Sequence, residues 1–284
     1  MNELLWINGH RMPLPAGTVS IEDRGFQFAD GIYEVIAFTD QRPVLLEEHL
    51  DRFERSAAGL LLEPDITRAE RRSVIESLVA DSGFREAMVY GQLTRGAARR
   101  AHVFPPEGTP ATELWYVRAL PRQPQECYDR GASAITLPDE RWLRCDIKSV
   151  SLLPNILAKE KARRAGALEA ILHEADGTVT EAAASNVFCV LDGVIRTHPL
   201  TSRILPGITR IEVLAAARAL GIPLREEAVR LGELRRAEEI FVTSTTMGVM
   251  PVTALDGARV GEGLPGPIAR ALQEHLEASR AAAV

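Results

Sequence analysis

Residues 120–131, LPRQPQECYDRG, divide the chain in two. Proline cannot donate to a ladder, and here two prolines stand among polar residues ahead of a glycine, which is the composition of a surface linker. A chain of 284 residues interrupted there has enough length for two cores of ordinary size. The pattern predicts a small N-terminal domain over 1–119, an interdomain linker over 120–131 and a larger domain over 132–284.

Periodicity on either side of the linker differs. In the first part, short β-type runs at 4–7 and 34–38 precede a helix marked by Leu46, Leu50, Phe53, Ala57 and Leu60 at helical spacing. Thr67 and Glu70 have the spacing of a capping box ahead of Val74, Ile75 and Leu78, and Gly83 ends that helix. Two further β-type runs, 87–94 and 113–119, flank an arginine-rich loop over 95–110, so this part reads as a small α+β domain. Strands dominate the second part, at 132–137, 170–173, 186–190, 194–197 and 239–243, with a hairpin at Asp192-Gly193 and a turn at Asp176-Gly177. Helices are interleaved: Pro154 suits the first turn of one that ends near Gly166, another runs over 208–220, and Pro265 starts the last.

Composition narrows the function. Net charge is −6 with both signs interspersed, so no face is built for nucleic acid or an anionic membrane, and a small molecule is the expected partner. No apolar run approaches the ~20 residues of a membrane span, and MNELLWINGHRMPLP lacks the basic and apolar regions of a signal peptide. A cytoplasmic location follows as the expectation. Cys127, Cys145 and Cys189 are odd in number and widely separated, which predicts reduced thiols; the six histidines have no zinc-like spacing, so no metal is expected.

Of 33 basic residues only three are lysines, Lys148, Lys159 and Lys161. A solvated helix face accounts for the last two, together with Arg163 and Arg164. Lys148 lies instead in the apolar, β-like RWLRCDIKSVSLL, where an amine is costly unless it is paired or its pKa is lowered. Lowering is what a nucleophilic amine requires, although a paired or snorkelling lysine is the competing reading. In ILPGITR, Pro206-Gly207 turns into a helix whose first amides suit a phosphate, and FVTSTT ends a strand in hydroxyl donors. Each signal alone is weak, since helix starts and strand-end threonines are common. Glu181, ahead of the strand at Asn186, suits either a cationic ring nitrogen or an exposed turn. Arg95, Arg99, Arg100 and His102 share one loop that either clamps a carboxylate bidentately or is merely solvated.

Taken in order, EDRGFQFADGIYEV, EHLDRFERS, LTRGAARRAH, RWLRCDIKSVSLLPNILAK, TVTEAAASNVF, ILPGITR and FVTSTT resemble the fold-type IV family of pyridoxal 5′-phosphate enzymes, most closely its D-amino-acid aminotransferase members. The similarity covers nearly the whole chain. It implies an α+β, two-domain fold: a small N-terminal α/β domain and a larger C-terminal domain built around a β-barrel-like sheet. It implies that Lys148 is the Schiff-base lysine and proton shuttle, that Glu181 faces the pyridine nitrogen, that Arg52, Ile208, Thr209 and Thr245 hold the cofactor phosphate, and that Ser244 also binds the cofactor. Tyr33, Arg100 and His102 match the residues that D-specific members use on the substrate α-carboxylate. In those relatives the loop with Arg100 and His102 comes from the neighbouring subunit, which implies a homodimer. The alanines of EAAAS and the Met247-Gly248-Val249 run depart from the family pattern, which puts side-chain preference in doubt and leaves the lysine chemistry untouched.

The activity so implied is ping-pong transamination between a D-amino acid, D-alanine or D-glutamate, and pyruvate or 2-oxoglutarate. Branched-chain L-amino-acid or amine transamination and an aminodeoxychorismate-type lyase are alternatives on the same fold. A non-catalytic binding protein is a third class, opposed by retention of the lysine, the acid and the phosphate-binding residues.

Overall fold

A computed structural model describes residues 1–282, which form two compact units, Met1–Pro121 with Ile147–Ser151, and Arg122–Asp146 with the residues from Leu152 onward. The short segment that carries Lys148 thus belongs to the first unit.

In the first unit, strands β1 (Leu4–Ile7), β2 (His10–Pro13), β3 (Gly31–Thr39), β4 (Arg42–Pro43), β5 (Ala87–Thr94) and β6 (Thr112–Ala119) form one antiparallel sheet in the order β2-β1-β6-β5-β3-β4. Helices α1 (Arg24–Phe28), α2 (Leu46–Gly59) and α3 (Arg68–Ser82) accompany it. Period-two alternation decides the faces: Ile32, Ile36 and Phe38 of β3, Val89 and Leu93 of β5 and Trp115 and Val117 of β6 meet Leu50 and Phe53 of α2 and Ile75 and Leu78 of α3 in one core. Burying each of these large side chains contributes about 1.5–3 kcal/mol. Gly91 is required opposite Trp115, since a Cβ there would lie 2.1 Å from the indole ring. The capping box forms, with Thr67 Oγ1 accepting from the Glu70 amide at 3.2 Å and the Glu70 carboxylate accepting from the Thr67 amide at 2.8 Å.

The second unit holds α4 (Gln125–Arg130), β7 (Ala132–Pro138), α5 (Leu153–Arg164), β8 (Glu169–His173), β9 (Val179–Ala182), β10 (Asn186–Leu191), β11 (Val194–Thr197), α6 (Ile208–Ala219), β12 (Leu224–Glu226), α7 (Leu231–Leu234), β13 (Glu239–Ser244), β14 (Gly248–Leu255), β15 (Ala258–Arg259) and α8 (Pro267–Ala282). Its sheet runs β12-β11-β10-β13-β14-β7-β8-β9, with β15 on β14. The sheet is curled: β9, at the far end of this order, turns within four residues into β10, with the Ala182 amide donating to the Ser185 carbonyl at 2.8 Å. β7 and β8 are parallel and joined by a crossover through α5, and the stretch just before α5 carries Lys148. Among the described residues no helix is long and apolar enough to cross a membrane, and all three cysteines are free.

Three expectations are corrected. The Lys148 stretch is no strand. It is an extended strap whose Lys148 carbonyl accepts from the Tyr33 amide at 2.9 Å and whose Val150 amide donates to the Gly31 carbonyl at 3.0 Å, with a single bridge between Ser149 and Ile32. The last helix starts at Pro267, not Pro265, because the Glu239 carboxylate caps it by accepting from the amides of Ile268 (3.0 Å) and Ala269 (2.8 Å). Lys159 is more than a solvated charge: its Nζ lies 3.1 Å from the buried Glu169 carboxylate and donates to the Leu168 carbonyl at 2.6 Å. Strand β14 went unpredicted, for Pro251 interrupts its pattern; the β7 ladder begins only at Val252, past that proline.

Candidate active site

On α2, the core-facing stripe has a polar edge. His49, Arg52 and Ser56, at i, i+3 and i+7, are all buried. His49 and Arg52 face Glu34, which β3 points to the same side as Ile32 and Ile36. Arg52 binds Glu34 side-on, Nε to Oε2 at 3.0 Å and Nη2 to Oε1 at 2.6 Å, and His49 Nδ1 lies 2.9 Å from Oε1. Burial alone would raise the Glu34 pKa, but Arg52 and His49 outweigh it and hold the carboxyl well below the usual range. Burial pushes the His49 imidazole down, against the pull of Glu34. Ser56 Oγ accepts from the Lys148 amide at 3.1 Å, so one helix edge sets both Arg52 and the Lys148 backbone. The Lys148 ammonium stands 4.1 Å from the centroid of the Tyr33 ring, and Tyr33 stacks on Tyr90, which stacks on Tyr116. Lys148 thus neighbours the Tyr33 ring, while Ser56, one turn from Arg52 on α2, holds its backbone.

Arg100 and His102 lie elsewhere in that unit, both exposed, around one ring. The Arg100 guanidinium is 4.8 Å from the Phe28 centroid, and His102 meets Phe28 edge-on at 5.7 Å. Arg95, from the same loop, serves the fold instead, donating to Asp30 and to the carbonyls of Leu60 and Leu61.

In the second unit, β9 buries all four of its residues and Glu181 with them. Its carboxylate accepts from Arg141 Nη1, from Asn186 Nδ2 at 2.9 Å and from the Leu205 amide at 3.1 Å. Burial pushes the Glu181 pKa up to about 6 despite Arg141 and Leu205. Arg141 is itself committed to Asp139, by Nε at 2.9 Å and Nη2 at 2.8 Å. Asn186 links this acid to the start of α6 and the end of β13. It pairs with Thr243 in the ladder, and its side-chain amide also donates to the Leu205 carbonyl at 2.9 Å. A Cβ on Gly207, the residue before α6, would lie 2.0 Å from Asn186 Oδ1, so only glycine allows this approach.

This cradle has the donors an oxyanion needs. Gly207 provides no side-chain cap, leaving the first-turn amides of Ile208 and Thr209 to point out of the helix with its positive dipole end. Ser244 and Thr245 lie half-buried at the β13–β14 turn, and next to them Thr243 Oγ1 is buried without a hydrogen-bond partner among the described residues. A buried orphan hydroxyl and the uncapped first-turn amides of α6 are the kinds of donor a phosphate group takes, and a buried acid of pKa about 6 fits a protonated ring nitrogen. Both are features of pyridoxal 5′-phosphate. Sequence reasoning missed Glu34, His49, Asp139, Arg141 and Thr243. His49 and Arg141 stand inside the motifs EHLDRFERS and RWLRCDIK, but nothing local says which carboxylate each meets.

Comparison with known proteins agrees with these features. The amino-transferase class IV family matches residues 31–255. A D-alanine aminotransferase of Bacillus licheniformis is 44% identical over 96% of this chain and 95% of its own, and one of Staphylococcus aureus is 42% identical over 97% of each. Among solved structures, the branched-chain amino acid aminotransferase of Escherichia coli superposes with a TM-score of 0.91 at 26% identity, covering 98% of this chain and 94% of that one. A second branched-chain amino acid aminotransferase, from T.th. and solved with pyridoxamine 5′-phosphate, reaches 0.90 at 30% identity over 99% of this chain and 95% of that one.

Proposed function

Because the chain belongs to the amino-transferase class IV family, we infer that it is a pyridoxal 5′-phosphate-dependent aminotransferase that exchanges the amino group of a D-amino acid, of the D-alanine or D-glutamate type, with a 2-oxo acid. The observation that carries the D-reading is the gathering of Arg100 and His102 around Phe28 in a chain 44% identical to a D-alanine aminotransferase over 96% of its length.

Lys148 would hold the cofactor, Glu181 would face its pyridine nitrogen, and Arg52, Ile208, Thr209, Ser244 and Thr245 would hold its phosphate. When bound, the cofactor supplies a ring that takes up the electrons released as the substrate Cα–H bond breaks. Lys148 then carries the Cα proton, a task worth about 10²- to 10⁴-fold in rate. Its backbone is pinned at both the amide and the carbonyl, so the amine swings from a fixed base. Glu181, with a pKa about 6, is largely ionised at neutral pH and would accept the N–H of the protonated ring. Arg52, its plane fixed by Glu34, presents a rigid guanidinium to an anion. Tyr33, Arg100 and His102 bind the α-carboxylate, Arg100 by its fork.

The reading includes a homodimer in which the loop bearing Arg100 and His102 serves the partner's site. The apolar side chains of Phe26, Val103 and Phe104 in the same region support this, for all three are exposed. It also includes a cytoplasmic location, in keeping with three free cysteines.

Single-turnover absorbance with a panel of D- and L-amino acids tests the reading. D-alanine should convert the bound cofactor to its amine form and L-leucine should not. A preference for L-leucine would replace the D-reading with a branched-chain one, pyruvate release without a 2-oxo acid would point to a lyase, and no conversion by any amino acid would end the aminotransferase assignment.

A further inference from the structure

The DRGFQFAD segment, 23–30, holds none of the residues assigned to the reaction above, yet it contains a buried arginine whose hydrogen bonds are unusual. Arg24 Nη1 donates to the carbonyls of Ala101 at 2.7 Å and Val103 at 3.2 Å, the two residues that flank His102. Its Nε donates to Asp30 Oδ2 at 2.8 Å, and its guanidinium lies 4.9 Å from the Phe28 centroid. Asp30 is also clamped by Arg95, at 2.9 Å and 3.1 Å, so the anchor of Arg24 is fixed from a second side. The base of the loop is tied as well: the Arg24 amide donates to the Gly96 carbonyl at 2.9 Å, the Ala98 amide to the Glu22 carbonyl at 3.2 Å, and Thr94 Oγ1 to Asp23 at 3.0 Å. Phe28 thus meets both the guanidinium that holds the loop and the two side chains that the loop displays.

We propose that Arg24 and Phe28 are positioning residues for substrate specificity: Arg24 brackets the backbone on both sides of His102 and Phe28 seats Arg100 and His102, so that together they present a preorganised site for an α-carboxylate. This rests on the reading of Arg100 and His102 as carboxylate-binding residues. Both act through Arg100 and His102 rather than on the substrate itself. Backbone carbonyls are held because a charged, buried guanidinium must satisfy its donors, and the loop offers the acceptors. A loop so fixed binds a carboxylate without first having to be ordered, whereas a displacement of about 1 Å costs up to ~100-fold in rate.

The test uses the holoenzyme in four forms: Arg24→Gln, Phe28→Leu, Arg100→Ala and the Arg24→Gln/Arg100→Ala pair. The expected result has three parts. Amide hydrogen exchange over 99–104 rises in Arg24→Gln. KM for D-alanine rises roughly 10- to 100-fold in both Arg24→Gln and Phe28→Leu, while kcat/KM for a primary amine without a carboxylate is unchanged. The double variant is no worse than Arg100→Ala alone, because the bracket acts through the group already lost. Phe28→Leu leaves every hydrogen bond of Arg24 in place and so decides the matter if Arg24→Gln fails to fold. Unchanged exchange with unchanged KM, or losses that multiply in the double variant, overturns the proposal while the carboxylate reading stands. A silent Arg100→Ala overturns the carboxylate reading itself.

Discussion

Glu34 in the first unit and Glu181 in the second are both sealed from solvent and both bonded to an arginine, yet their ionisation differs. Glu34 takes Arg52 side-on through two nitrogens and has His49 as a second donor, so pairing outweighs burial and the carboxyl is held far below its ordinary range. Glu181 takes one nitrogen of Arg141, whose Nε and Nη2 are committed to Asp139, and that second carboxylate opposes ionisation of the first. Burial then wins, and the pKa rises to about 6. A buried acid becomes a fixed anchor when an arginine is given to it whole, and a proton-sharing group when the arginine is divided.

The largest expected effect asks whether the titratable side of this contrast serves catalysis at all. Lys148→Ala should lower turnover by at least ~10²- to 10⁴-fold with little change in unfolding free energy, since Lys148 holds its place through backbone bonds. Retained turnover would strip the contrast of its functional meaning. Next, Glu34→Gln should cost about 3–5 kcal/mol in urea unfolding, because it removes the carboxylate charge that two nitrogens of buried Arg52 bind. Glu181→Gln should cost less in the same measurement, and equal losses would break the comparison.

A third test reads pH. The folded pKa of Glu181, about 6, lies above its ordinary 4.5, so the folded state binds the extra proton. Its contribution to stability is present below pH 4.5 and is lost as pH rises through 6, a fall of about 2 kcal/mol that should vanish in cofactor-free Glu181→Gln. Glu34 has the opposite sign, with stability lost only as pH falls below 4.5 toward its depressed folded pKa. The smallest effect sharpens the geometry: Gly207→Ala, whose Cβ meets Asn186 Oδ1 at 2.0 Å, should cost about 1 kcal/mol and shift the carboxyl resonance of Glu181 by displacing its Asn186 partner. An unmoved resonance would mean that Asn186 has no part in setting that acid.

Much of the fold was legible in advance. The α2 stripe, the capping box at Thr67, the β5 and β6 alternation and the Gly207 helix start all obey rules that act over a few residues. The strand at Gly248–Leu255 was not legible, because Pro251 reads as a breaker until its neighbour's ladder is seen to begin beyond it. Nor was the Lys148 strap: its apolar composition suits a strand, and only the bonds to Tyr33, Gly31 and Ser56 show why it is extended without a ladder. For the site, ordered motifs pointed to Lys148, Glu181, Arg52 and Arg100 as candidates, but not to the groups that surround them.

By itself the sequence determined most of the longer elements and which residue types carry the chemistry, because helical and β periodicity, caps and turns depend on neighbours a few positions away. Only the tertiary structure decided what state those residues are in. Arg141 lies 40 positions from Glu181, and Arg24 lies 77 from the carbonyl of Ala101 that it holds. Desolvation and charge pairing are set by such distant partners, so the same glutamate can be an anchor at position 34 and a proton-sharing acid at position 181.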